Sequence, residues 1–163
     1  MEIFDGIGFS KFLEDDIVQL APIVKRAFDE DTKRHLGLDS GGPSGYDNGD
    51  YIRRWYFKDD ADAYKILLDG NIIGGICVSI SSSGDNYLTN IAIDPLCHDK
   101  GIGLIAWRYI EQRHPDTKIW RTETPGYSTR NHNFYINKCG FKVVRINNPN
   151  TSHASYALEK EMG

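Results

Sequence analysis

The chain has 163 residues, 40% of them hydrophobic and 26% charged, with a formal net charge of -4. That is an ordinary globular composition, one domain in length and able to bury a sizeable core. The negative balance gives a nucleic-acid partner no electrostatic support, and no run approaches the roughly 18 apolar residues of a membrane span.

In chain order, IGFSKFLE predicts a first strand. Asp15 or Asp16 is placed to cap a helix over IVQLAPIVKRAF, whose apolar residues recur at three and four; Pro22 marks its first turn or a kink. Residues 37–50, GLDSGGPSGYDNGD, read as a mobile loop, followed by a short helix, YIRRWYF. AYKILL and NIIGGICVSI flank Asp69-Gly70, a strong hairpin signal. YLTNIAID is a third consecutive strand, apolar enough to be central. Residues 101–112 form a helix, TKIWRTE a strand, and STRNHNFYINKCGF a helix closed by Gly140, with Phe141 as the apolar contact after the cap. FKVVRI and HASYALEK close the chain as two strands. This order predicts a single α/β domain over residues 1–163, a mixed sheet with helices on both faces.

Gly101 and Gly103 stand at the entrance of the helix that follows YLTNIAID. A helix N-terminus leaves N–H groups unpaired and carries partial positive charge. Glycines let a phosphate approach that backbone, and Lys100 adds a cation. The pyrophosphate of a nucleotide-like cofactor suits the place, although a plain strand-to-helix turn uses the same residues. Gly101-Ile102-Gly103-Leu104-Ile105-Ala106 also satisfies G-x-G-x-x-A, with Glu123 about 20 residues on, as in an NAD-binding oxidoreductase. Three features oppose that reading. Pro95 to Lys100 separate the glycines from the strand, the preceding strands form a hairpin, and the two last strands leave no room for a second nucleotide half.

IAIDPLCHDKGIG resembles the acetyl-CoA loop of the GNAT superfamily of N-acetyltransferases, whose signature is R/Q-x-x-G-x-G/A after a central strand. Here it runs His98-Asp99-Lys100-Gly101-Ile102-Gly103, with His98 in place of Arg or Gln. Phe134-Tyr135-Ile136-Asn137-Lys138-Cys139-Gly140-Phe141 is similar to the family's F/L-Y-x-K-x-G-F helix ending, and IWRTE lies between the two. The motifs cover residues 64–145; the N-terminal third agrees by element order. The resemblance implies a GNAT-type, mostly antiparallel sheet and acetyl-CoA as acyl donor, without a metal. It implies direct acetyl transfer to a primary amine of a small molecule or peptide, in a chain whose relatives are often dimers. It places the pyrophosphate on His98, Asp99, Lys100, Gly101, Ile102 and Gly103. Main-chain groups at Ile91 and Ile93 would take the pantetheine and the thioester carbonyl, where the family splays its strands. Asn131, or Ser128 three residues earlier, would bond the cofactor's arm. A regulatory module that binds acetyl-CoA without catalysis would carry the same motifs.

An amine attacking a thioester must lose a proton, a donor must meet the developing oxyanion, and the departing thiolate benefits from a proton. Tyr135 matches the family's catalytic tyrosine and is the candidate acid; a tyrosine packed at the core edge is the plain alternative. Glu123, at the end of IWRTE, occupies the place of a glutamate in the family's protein N-terminal acetyltransferases. It is the candidate base, acting through water, or a solvated strand-end acid. On the preceding strand Tyr87 stands where other members carry a base, with Asp85 a weaker substitute. Cys139 lies one turn after Tyr135 without a flanking histidine–acid pair and reads as a small buried residue. His35, His98, His114, His132 and His153 show no metal spacing, and His132 flanks the active helix. For the acceptor, Trp55, Tyr56 and Phe57 wall a site or anchor a short helix. Asp29, Glu30, Asp31, Asp59, Asp60 and Asp62 suit a cationic amine or form a solvated face. Cys77, Cys97 and Cys139 make neither a disulfide framework nor a zinc pattern. With no leader-like pattern in MEIFDGIGFS, the expected compartment is the cytoplasm.

Overall fold

Asp5 and Gly6 both take positive φ, 49° and 81°. They fold the N-terminus into a hairpin of β1 (Glu2–Phe4) and β2 (Ile7–Lys11), where the sequence predicted one strand. The computed structural model covers residues 1–163. Asp16 does not cap the first helix. Its carboxylate turns back to the Leu13 N–H at 2.8 Å and to Lys65 at 2.9 Å. Helix α1 (Ile17–Leu36) runs through Pro22 and eight residues beyond the expected end at Phe28. Its buried face, Ile17, Leu20, Ile23 and Val24, holds it on the sheet. The carbonyl that the proline leaves unpaired belongs to Val18, a residue 76% exposed, so water can meet it.

The 37–50 segment is tethered rather than free. Asp29 Oδ1 accepts from the Gly41 N–H at 3.1 Å and the Tyr46 hydroxyl at 2.6 Å, and Thr32 Oγ1 donates to Gly41 O at 2.7 Å. Helix α2 (Asp50–Tyr56) comes next. Then β3 (Ala61–Leu68) and β4 (Asn71–Ser79) form the predicted hairpin, with Asp69 at φ 52° and Gly70 at φ 80°, the two positive values a primed turn requires. After β5 (Asp85–Ile93) come α3 (Ile102–Arg113), β6 (Ile119–Pro125) and α4 (Thr129–His132). The helix α4 continues as one wide turn over Asn133–Lys138, and β7 (Lys142–Asn147) and β8 (Ser155–Glu161) end the chain.

The strands form one sheet in the order β1-β2-β3-β4-β5-β6-β8-β7, antiparallel except between β5 and β6. Helices cover both faces, as predicted. On one face α3 and the 133–138 turn pack Trp107, Tyr135 and Phe141 against Ile76, Leu88 and Trp120. On the other, α1 and α2 pack Leu20, Val24 and Ile52 against Cys77 and Ala92. Trp107 and Trp120 meet edge to face at 5.0 Å, an arrangement that adds about 1 kcal/mol to their burial. No helix is long and apolar enough to cross a membrane.

Two irregularities of the sheet create the site. Strands β5 and β6 pair only at Asp85–Ile119, Asn86–Trp120 and Tyr87–Arg121, and part beyond them. Between β4 and β5, Val78 faces Leu88 but Cys77 faces Asn90, so Thr89 is an extra residue, a bulge that inverts the alternation of the rest of β5.

Candidate active site

The gap between β5 and β6 opens into a cleft of about 1140 Å³. Leu88 turns its carbonyl toward β6 and accepts the Thr122 hydroxyl at 2.9 Å. Asp94 turns the other way, its N–H donating to Ile73 O at 2.7 Å. With Thr89 inserted, backbone alternation aims the main-chain groups of Ile91 and Ile93 into the gap, where no strand meets them. The Ile93 carbonyl accepts from His98 Nε2 at 3.0 Å. Burial, and next Arg130, lower the pKa of His98, so the neutral ring is the donor. His98 thus braces the loop from within.

Gly101 sits in the left-handed region at φ 75° and starts α3. The first bond across this turn runs from Ile105 N to Gly101 O at 3.2 Å, leaving the N–H groups of Ile102, Gly103 and Leu104 without helical partners. All three residues line the cleft. A Cβ on Gly103 would lie 3.1 Å from Phe134 Cε1, so the bare glycine lets α3 close against the 133–138 turn. Asp99 is on the wall, whereas Lys100 is not.

Tyr135 projects from the 133–138 turn. There the Cys139 N–H reaches five residues back to Phe134 O at 3.0 Å, and the Phe141 N–H closes the end on Tyr135 O at 2.9 Å. Such wide turns re-aim side chains and recur at functional sites. The ring is 8% exposed and packs edge-on against Phe134 at 5.3 Å and Phe141 at 5.9 Å. Its hydroxyl forms no hydrogen bond within the protein and belongs to a residue of the cleft wall. Burial pushes that hydroxyl well above the ordinary phenol range, with Cys139, Tyr51, Tyr87 and Asp31 adding to the effect.

Glu123 is exposed and lines the same cleft, on the face of β6 opposite buried Thr122 and Thr124. Its one side-chain hydrogen bond is a long one from Asn147 Nδ2 at 3.5 Å. Asn131 is also on the wall, its Nδ2 donating to Thr124 Oγ1 at 3.2 Å. Ser128 is not. It is fully buried, donates to Asp31 Oδ1 at 2.8 Å and accepts from the Asn131 N–H at 3.3 Å, so it caps α4 instead of meeting a ligand.

Some of the weaker expectations change and others hold. Asp85 pairs with Arg121 at 2.8 Å at the closed end of the gap, away from the cleft. Cys139 is buried, and burial pushes its thiol up to about 12, so it is no nucleophile. His132 bonds Pro125 O at 2.9 Å and stacks on Tyr156. The acids do not make an open anionic field. Asp29 holds Lys25 and the loop, Glu30 meets Arg34 and Arg130, and Asp62 meets Lys11 and His114. Tyr56 is an anchor, its hydroxyl donating to buried Asn90 Oδ1 at 2.6 Å. Asn90 and Tyr51, both on the cleft wall, went unnoticed in the sequence. The signal for Tyr51 was the stripe it begins, Tyr51, Arg54, Trp55 and Lys58, at helical spacing.

The chain matches the model of the Acetyltransferase (GNAT) family over residues 25–141. It belongs to that family. It is 37% identical over 141 residues to YrkN of Bacillus subtilis (strain 168), an alignment covering 86% of this chain and 75% of that one. An acetyltransferase from Thermus thermophilus has the same fold, with a TM-score of 0.73 at 14% identity over 96% of this chain and 97% of the other. The PaiA N-acetyltransferase of Thermoplasma acidophilum, solved in complex with coenzyme A, gives 0.71 at 19% identity, covering 96% and 99%. A GNAT acetyltransferase from Elizabethkingia anophelis with acetyl-CoA bound gives 0.63 at 15% identity, covering 97% and 99%.

Proposed function

We propose that the protein is an acetyl-CoA-dependent N-acetyltransferase that passes the acetyl group directly to a primary amine of a small molecule or peptide. One observation carries the reading. The unpartnered N–H groups of α3, the main chain of Ile91 and Ile93 and the free hydroxyl of Tyr135 converge on a single cleft. The walls fit the donor: a Cβ on Gly101 would meet nothing within 4 Å, so the backbone there is open to a phosphate. Two relatives of this fold were solved holding coenzyme A or acetyl-CoA.

Acetyl-CoA, when bound, supplies an activated acetyl thioester. In this reading the N–H groups of Ile102, Gly103 and Leu104 meet the pyrophosphate, and Lys100 contributes as a nearby cation. The Ile91 and Ile93 main chain holds the pantetheine and gives an N–H to the thioester oxygen, where charge develops. Asn131 steadies the arm. Glu123 takes the amine proton through a water as the C–N bond forms and the C–S bond breaks, and Tyr135 gives its proton to the sulfur. A buried phenol stays protonated at neutral pH, as a donor must.

The test is calorimetric titration with acetyl-CoA, CoA and NAD, followed by an amine panel read by thiol release. Acetyl-CoA and CoA are expected to bind, NAD is not, and Gly103→Val should abolish binding by filling the turn beside Phe134. Unchanged acetyl-CoA affinity in that variant overturns the loop assignment. Binding with no turnover of any amine marks a regulatory module instead.

A further inference from the structure

A second hollow, of about 470 Å³, opens beside the main cleft on the α1/α2 face. The two share Pro43, Tyr51 and Thr89 as walls, so they adjoin. Tyr87 is on the wall of the hollow, close enough to Glu123 that the carboxylate, after burial, raises its hydroxyl. An acceptor whose amine reaches Glu123 can extend its other end toward this hollow.

The hollow carries two cations without ion-pair partners, Arg54 and Lys58, against a single carboxylate, Asp60. Helix α2 presents Tyr51, Arg54 and Trp55 to it, and Lys58 lies one turn on. The Arg54 guanidinium lies 5.1 Å from the Trp55 ring centre and Lys58 Nζ 4.2 Å. Neither forms an ion pair, whereas their neighbour Arg53 pairs with Asp50 at 3.2 Å. An aromatic ring holds a cation in place through its quadrupole and leaves the net charge intact. The one carboxylate on this wall, Asp60, accepts the Ser79 hydroxyl.

Resting on the acetyl-transfer reading, we infer that Arg54 and Lys58 bind an anionic end of the acceptor. The substrate is a primary amine that carries a carboxylate or phosphate-like group some atoms from its nitrogen. This reverses the charge that the acid-rich sequence around residues 29–31 and 59–62 suggested. Those acids are mostly committed to lysine, arginine and histidine partners, and these two cations are not.

Four amines of matched length test it: ω-aminovalerate, an aminoalkyl phosphonate, pentylamine and cadaverine. Thiol release gives kcat/KM, and calorimetry with CoA present gives binding. One acid-bearing amine should exceed pentylamine and cadaverine by about tenfold or more, and the better of the two names the anion. The double variant Arg54→Gln, Lys58→Gln should erase that margin, chiefly through KM, while its acetyl-CoA affinity reports an intact fold. Equal or better use of cadaverine, or a margin that survives in the double variant, overturns the proposal. Failure of acetyl-CoA to bind would defeat the transfer reading alone. The hollow is then judged by amine binding, where capture of an acid-bearing amine by the wild type and not the variant supports it and capture by neither refutes it.

Discussion

Replacing Tyr135 by Phe removes one oxygen atom, and the structure fixes what that oxygen does. The ring's packing on Phe134 and Phe141 survives the change. No hydrogen bond is lost, because the hydroxyl forms none within the protein. The urea midpoint should therefore move by no more than about 0.5 kcal/mol equivalent. Acetyl-CoA affinity, set by α3 and β5, should stay within about threefold. Turnover should fall. A positioned acid contributes about 10²- to 10⁴-fold, and a phenol whose pKa burial has raised is a reluctant donor, which places the expected loss near ~10²-fold. Steady-state thiol release gives kcat, and calorimetry gives the dissociation constant. An unchanged kcat, or equal losses in kcat and affinity, refutes the role given to this hydroxyl.

Glu123→Gln should lower turnover by about 10²-fold near neutral pH and recover as pH rises, because the amine then deprotonates without help; a flat pH profile at wild-type rate refutes the base assignment. Ser128→Ala loses the bond to Asp31 and the cap of α4. It should cost about 1 kcal/mol in denaturant unfolding with cofactor affinity intact, and weakened acetyl-CoA binding would return Ser128 to the ligand set. Burial raises the thiols of Cys77 and Cys139 from 9.0 to about 12 and the Tyr51 hydroxyl from 10.0 to about 12. These groups stay protonated longer in the folded chain than in the unfolded one. The stability they hold below about pH 9 is lost progressively between about 9 and 12. Denaturation midpoints should fall across that range, and constant midpoints would contradict the burial.

What the sequence showed, it showed through local chemistry. Asp69-Gly70 announced its hairpin because the turn demands two positive φ values. Asp5-Gly6 carried the same signal between EIF and IGF, but the predicted first strand began only at Ile7, beyond that turn, so the short partner strand before it was missed. The glycine entrance to α3 and the close at Gly140 were visible because backbone geometry restricts which residues can stand there, whereas Tyr135 stood out only through its resemblance to the family's helix ending. The second half of α1 was missed because its apolar period stops at Phe28. Beyond that point i,i+4 pairs sustain the helix, among them Lys25–Asp29 at 2.6 Å and Glu30–Arg34 at 3.4 Å. The bulge at Thr89 has no marker of its own, since it depends on how β4 and β5 pair. The fates of the acids depend on partners distant in sequence, such as Asp62 with His114.

The short pairing between β5 and β6 has a mechanical meaning as well. Main-chain bonds join the β1–β5 half of the sheet to the β6–β8–β7 half only around Asp85–Tyr87 and Ile119–Arg121, at one end. Elsewhere the halves rely on side-chain packing, notably Trp107 on Trp120. A ligand lying in the opening would stitch the two halves together along the length where the backbone does not. Its binding energy would then tighten the seam, by about 2.7 kcal/mol at a hundred times the dissociation constant. Amides on both lips of the seam would slow their hydrogen exchange together, making two loosely joined halves behave as one cooperative unit.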